Sequence, residues 1–194
     1  QPKGVTLNLC RNPYPYLPEQ GESTHSRELV ANHLLHPSYV SHETVLSQAG
    51  VIPERVTLLK SSCMKRSKTF DNATGRYEYI QVPEAYFPIG LTRQKTEEGY
   101  FYLTATPEKA LCDLIVSSSN LRIQSMKTMR SYLDEYLRAD WDMIAGMDIS
   151  IIRACAEKTN KKKNELNFLE RTMSCLSSKI RTSLISGRQS TSCN

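Results

Sequence analysis

The chain has 194 residues, 39% of them hydrophobic, and a formal net charge of +5; its mean hydropathy is −0.45. That length and balance fit one sizeable globular core with polar appendages. They exclude a helical membrane protein, because no apolar run approaches the ~20 residues a spanning helix needs, and no basic-then-apolar leader opens the sequence.

In chain order, Pro2, Pro13, Pro15, Pro18, Gly4 and Gly21 make residues 1–24 linker-like, with one strand pattern at Gly4–Leu9. A helix is expected over about His25–Leu35, with Leu29, Val30, Leu34 and His33 on its inner side and His36-Pro37 ending it. Ser41 is an expected N-cap for a short helix, Glu43 an acid in its first turn, and Gly50 its C-terminal stop. Val45, Leu46 and Ala49 form its apolar side.

A β-rich stretch follows. Strands are expected at Val56–Ser62, at Lys68–Phe70 and Arg76–Val82 around the turn Asp71–Gly75, and at Tyr86–Leu91 and Tyr100–Ala105. In the second hairpin arm, Tyr77, Tyr79 and Gln81 face one way, Glu78, Ile80 and Val82 the other. The rest reads as helices. Thr106 caps one that starts at Pro107 and has Ala110, Leu111, Leu114 and Ile115 on its core face. Others span Ser125–Leu137, a turn at Trp141, a helix capped by Asp148, and Asn160 to about Leu176. From Ser177 the chain is polar, Ser/Thr-rich and expected to be disordered. The whole predicts an α+β fold: a mixed or antiparallel sheet of short strands packed by helices, with a C-terminal helical region.

The charge is uneven. Nine Lys or Arg stand against three Glu from Arg153 onward, and sixteen against seventeen acids before it. A basic terminal segment suits nucleic acid or an acidic partner; a solvated helix face explains it equally. Lys65, Arg66 and Lys68 form a second basic cluster, and Lys161, Lys162 and Lys163 a third, at a helix start where cations oppose the dipole. Both clusters are candidate partner or nucleic-acid contacts through phosphate.

The six cysteines are scattered, without a CxxC or Cys/His ligand pair. A reducing cytoplasm is therefore expected, with Cys112 and Cys155 in the core. That setting also makes the glycosylation pattern Asn72-Ala73-Thr74 idle. His33 and His36 are too few for zinc. Ser41-His42-Glu43 are neighbours in sequence and cannot form a triad by themselves. No metal site, cofactor or catalytic residue is expected. Thr106-Pro107-Glu108-Lys109 reads as a helix start. The alternative is a metal-dependent nuclease centred on Glu108 and Lys109, which needs a second carboxylate from Glu78, Glu84 or Asp113.

Two segments carry a family likeness: Ser26–Leu34 running through Pro37–Leu46 to Gly50–Glu54, and Ala105–Leu114. With the basic strand region Lys65–Lys68 and the Gly75–Tyr79 arm between them, the sequence resembles the AbiEi-type antitoxins and transcriptional regulators of type IV toxin–antitoxin and abortive-infection systems. The likeness covers roughly residues 26–175. It implies a non-enzymatic bacterial protein that neutralises a nucleotidyltransferase-like toxin and, through an upstream winged helix-turn-helix, represses its own operon at promoter DNA; a homodimer is possible in such a family. Most of the winged helix is expected to lie outside this chain, which starts at Gln1. Residues 1–24 then read as a remnant of wing and linker, 25–176 as the antitoxin-type domain, and 177–194 as a tail. A DNA-binding regulator without antitoxin activity is the other alternative.

Overall fold

A computed structural model describes residues 26–72 and 74–186, with side chains as far as Leu176. The expected strand at Gly4–Leu9, the rest of residues 1–24 and the end of the tail beyond Ser186 lie outside the described residues.

The fold is α+β. Helix α1 (Arg27–Leu34), strand β1 (Ser38–Val40) and helix α2 (His42–Gln48) lead into β2 (Leu59–Cys63), β3 (Lys68–Asn72), β4 (Gly75–Gln81), β5 (Leu91–Lys95) and β6 (Phe101–Ala105). The helices α3 (Pro107–Ser117), α4 (Met126–Ser131), a π-helical turn (Tyr132–Tyr136), α5 (Trp141–Ala145), α6 (Ile149–Lys158) and α7 (Lys163–Ser186) complete it. The six strands form one mixed sheet in the order β3-β4-β2-β1-β6-β5. β2 runs parallel to β4 and β1 parallel to β6, while the other neighbours are antiparallel.

Register decides which side chains share a face. Tyr77 on β4 lies opposite Leu59 on β2, and Tyr79 opposite Ser61; all four are buried. This is the face toward α1, where the Tyr79 hydroxyl donates to the carbonyl of Ala31 at 2.5 Å. Asn32 fastens α1 to the sheet: its amide oxygen accepts from Leu103 N at 2.5 Å and its amide nitrogen donates to Leu103 O at 3.2 Å. The expected alternation in the β4 arm holds from Tyr77 to Ile80; at the strand's end Gln81 is exposed and Val82 is buried. His33, expected on the inner side of α1, is exposed, as is His36.

α3 is the central helix. Every residue from Lys109 to Ile115 is buried, because α2, α6, α7 and β6 all pack against it. A helix enclosed on all sides has no solvated face on which to place its charges. Its expected core residues Ala110, Leu111, Leu114 and Ile115 are all in the interior, joined by Cys112 and by two charged residues. α7 contributes Leu166, Leu169 and Met173, each at most 1% exposed.

Three expectations need correction. Of the strand expected over Tyr86–Leu91, Tyr86–Gly90 is a turn and only Leu91 begins a strand, because Pro83 and Pro88 break any ladder and the amides of Tyr86 and Phe87 fold back onto Pro83 O at 3.1 and 3.0 Å. The helix expected over Ser125–Leu137 stops being α-helical after Ser131 and widens into the π turn. The α7 backbone starts at Lys163 rather than Asn160 and stays helical past Leu176 to Ser186.

Candidate functional site

The polar residues that invite a chemical reading converge at one place, inside the protein. Lys109 enters it because Thr106 and Pro107 start α3 there. The Thr106 hydroxyl accepts from Lys109 N at 3.4 Å, the expected cap, and Pro107 occupies a position where no amide donor is needed. The next turn of the helix brings Asp113 beside Lys109, with Nζ 3.1 Å from Oδ1 and neither side chain exposed. Gly90 makes room from the other side. Its φ is +59°, and a Cβ there would stand 2.9 Å from both Lys109 Cβ and Ile151 Cγ2. The turn at Gly90 thereby lays Tyr86 over the ammonium, which donates to Tyr86 O at 3.1 Å and lies 3.0 Å from the centre of the Tyr86 ring.

The other carboxylate oxygen of Asp113 looks toward α2 and β2. Oδ2 accepts from Ser41 Oγ at 2.6 Å and from Ser62 Oγ at 3.1 Å. Ser41 is at the start of α2 as expected, but its hydroxyl does not cap that helix; it is spent on Asp113 instead. Next to it, His42 is left-handed at φ 59° and fully buried, with Nε2 3.0 Å from Ser62 Oγ. Since the Ser62 hydroxyl donates its hydrogen bond to the carboxylate, His42 donates through Nε2, and its Nδ1 is an acceptor without a partner among the described residues. Burial lowers the His42 pKa, outweighing the opposite pull of Asp113. Burial likewise raises the Tyr39 hydroxyl, Asp113 adding to the effect, and pushes up Tyr86 in the same way.

This arrangement differs from a nucleophilic triad in two respects. In a triad the carboxylate orients the imidazole through Nδ1; here it takes the serine protons directly and Nδ1 is empty. Ser41, Ser62 and Lys109 have no exposed surface, and His42 and Asp113 only 1%. The cluster ties α2, α3 and β2 together rather than presenting a group to a substrate. The sequence reading paired Ser41 with His42, and Asp113 with Lys109 as one possible carboxylate, but did not join the two pairs or include Ser62. The signal was the spacing of Lys109 and Asp113 by one helical turn inside an apolar run.

Glu108 and Lys109 point apart. Glu108 Oε1 accepts from Asp148 N at 3.1 Å, bracing the start of α6, while Lys109 turns inward. Glu84 is exposed and Glu78 only half-buried on β4. Among the described residues no group of three or more His, Cys, Asp or Glu is placed to hold a metal ion. The two side chains at the centre of the nuclease alternative thus do not meet. Gly50 is the stop it was expected to be: with φ at +73° it follows α2, and its amide donates to Ser47 O at 3.1 Å.

The basic clusters part company. Lys65 and Arg66 are exposed on the short connection between β2 and β3, and Lys68 is exposed at the start of β3, with its Nζ 4.5 Å from the centre of the Phe70 ring. Of the third cluster only Lys161 and Lys163 are exposed. Lys162 is left-handed at φ 56°, donates to Leu121 O, and pairs with Glu165 at 3.4 Å. Lys162 thus leaves the set of candidate contacts. Glu165 in the first turn of α7 also offsets the cations that oppose the helix dipole there. No family model and no curated protein matches the chain. No helix among the described residues is long and apolar enough to cross a membrane.

Proposed function

We propose that this chain is the antitoxin-and-regulator module of an AbiEi-type system, acting by contact with macromolecules in the cytoplasm. One observation carries the reading. The two segments on which the resemblance rests, residues 26–54 and 105–114, join in the core through the 2.6 Å hydrogen bond from Ser41 to Asp113 and the packing of α2 on α3. Two sequence signatures far apart in the chain thus form one structural unit, as expected if they belong to a single inherited module. Function then falls to surfaces around that unit, with a nucleotidyltransferase-like toxin as functional partner and promoter DNA engaged through an upstream winged helix. The test is co-expression with the nucleotidyltransferase-like toxin encoded beside it. Growth should be rescued; continued growth arrest would end the antitoxin reading.

A second reading is favoured by the open connection at Lys65, Arg66 and Lys68: a DNA-associated regulator whose domain adds sequence-independent phosphate contacts. Duplex affinity measured across salt discriminates it. Binding should weaken steeply as salt rises, and binding indifferent to salt would exclude it.

A further inference from the structure

Between α2 and β2 the chain runs from Pro53 to Leu58 without regular pairing. Its neighbours hold it at both ends. The Ser47 hydroxyl donates to Glu54 O at 2.6 Å, and Arg27 Nη2 donates to Thr57 O at 2.8 Å. Arg138, left-handed at φ 47° just after the π turn, grips the Glu54 carboxylate through Nε at 3.0 Å. In the middle, the main-chain N–H groups of Arg55, Val56 and Thr57 have no hydrogen-bond partner among the described residues. Side chains alternate along it: Arg55 and Thr57 exposed, Val56 and Leu58 half-buried. This is a strand-like rim with its donors open.

The rim stands between two hollows. One, of about 210 Å³, lies toward α1 and α2; the other, of about 480 Å³, is walled by the π turn; Arg55 and Val56 line both. On the far wall of the larger hollow, Tyr132 and Tyr136 stack with ring centres 5.4 Å apart, and Tyr136 is 75% exposed. The π turn at this wall and the left-handed Arg138 that follows Leu137 are costly backbone features, of the kind that collects at binding sites. The carboxylates here are each held through a partner, Glu43 Oε1 by Lys60 at 2.8 Å, Glu54 Oε1 by Arg138, and Glu28 by Ser26 and Gln48 at 2.7 and 2.6 Å, while Glu43 Oε2 and Glu54 Oε2 have no hydrogen-bond partner among the described residues. The Arg55 guanidinium has no partner among the described residues.

We propose that residues 54–58 and the two flanking hollows are a docking site for an extended peptide segment of a protein partner. Such a segment lies alongside the rim and pairs with the open amides of Arg55 and Thr57, which share one edge of the extended chain, as in strand addition. Its alternate apolar side chains enter the hollows, one against the exposed Tyr136 ring, and a carboxylate meets Arg55. This goes beyond the module reading and does not require it. Rescue without peptide binding, or binding without rescue, separates the two.

The test uses the full chain against a phage-displayed library of random dodecapeptides, followed by anisotropy with the selected synthetic peptide. Selected sequences should alternate apolar residues around an acid. Arg55→Glu and Tyr136→Ala, on separate elements, should each weaken binding about tenfold with an unchanged thermal melt. Amide exchange at Arg55 and Thr57 should slow when the peptide binds, while Val56, on the opposite edge, should be little changed. Absence of any enriched sequence overturns the proposal, as does binding indifferent to both substitutions. Amides already protected in the free chain, through its own residues 1–25, or protected in proportion to concentration, through a second copy, overturn it as well.

Discussion

Lys109 at the start of α3 and Lys65 between β2 and β3 are the same residue in opposite settings, the first fully enclosed and the second open to solvent. The enclosed ammonium needs Asp113, the Tyr86 carbonyl and the Tyr86 ring around it, because an unpaired buried charge costs several kcal/mol. The open one needs nothing and is free to meet a phosphate. The comparison teaches that a polar residue type is a poor pointer to a site until its solvation is known. The groups that look catalytic in this sequence are structural pins, and the groups that look bland are the available surface.

The sharpest way to break the contrast is at the pin. Asp113→Ala strands Lys109 in the interior and should cost about 3–5 kcal/mol, read as a lower denaturation midpoint; a loss under about 1 kcal/mol would mean that solvent reaches the cluster. Gly90→Ala adds a Cβ in a left-handed conformation against Lys109 and Ile151 and should cost roughly 2 kcal/mol or more by the same measurement.

The pH dependence of stability comes next. His42 is held neutral in the folded protein below its ordinary value of 6.5. Between the folded and unfolded values the unfolded chain binds more protons. Stability present above pH 6.5 is therefore lost as pH falls through the folded value, by up to about 1.4 kcal/mol per pH unit. Thermal melts across that range check it. His42→Asn, which tolerates the left-handed backbone and does not titrate, should flatten the slope. A smaller effect belongs to the cap: Thr106→Ala should destabilise by about 1 kcal/mol.

The smallest effect on folding is expected on the open side. Joint replacement of Lys65, Arg66 and Lys68 by Glu should shift stability by no more than about 0.5 kcal/mol per position. It should reduce the salt dependence of any duplex binding. A large loss of stability would show that this connection is a second pin.

Much of the fold was legible because local physics fixes it. Thr106-Pro107 starts α3, Gly50 ends α2, and the alternation of Tyr77 and Tyr79 sets the inner face of β4. Less of the site was legible. Ser41 has the chemistry of a cap and stands at a helix start, yet a carboxylate seventy-two positions away takes its proton. Lys162 belongs to a run of three lysines, yet it is folded onto Leu121 and Glu165. The π turn at Tyr132–Tyr136 left no mark in a periodicity that reads as plain helix.

The sequence by itself determined the α+β class, most element positions and the apolar faces, since hydrophobic period and turn chemistry act over a few residues. Only the tertiary structure decided that α3 is enclosed on every side, that Ser41, Ser62, His42, Lys109 and Asp113 share one dry cluster, and that Arg55–Thr57 leaves its amides open. Those outcomes depend on which elements pack against which. Desolvation and long-range hydrogen bonding are properties of that packing, and no local window of the chain contains them.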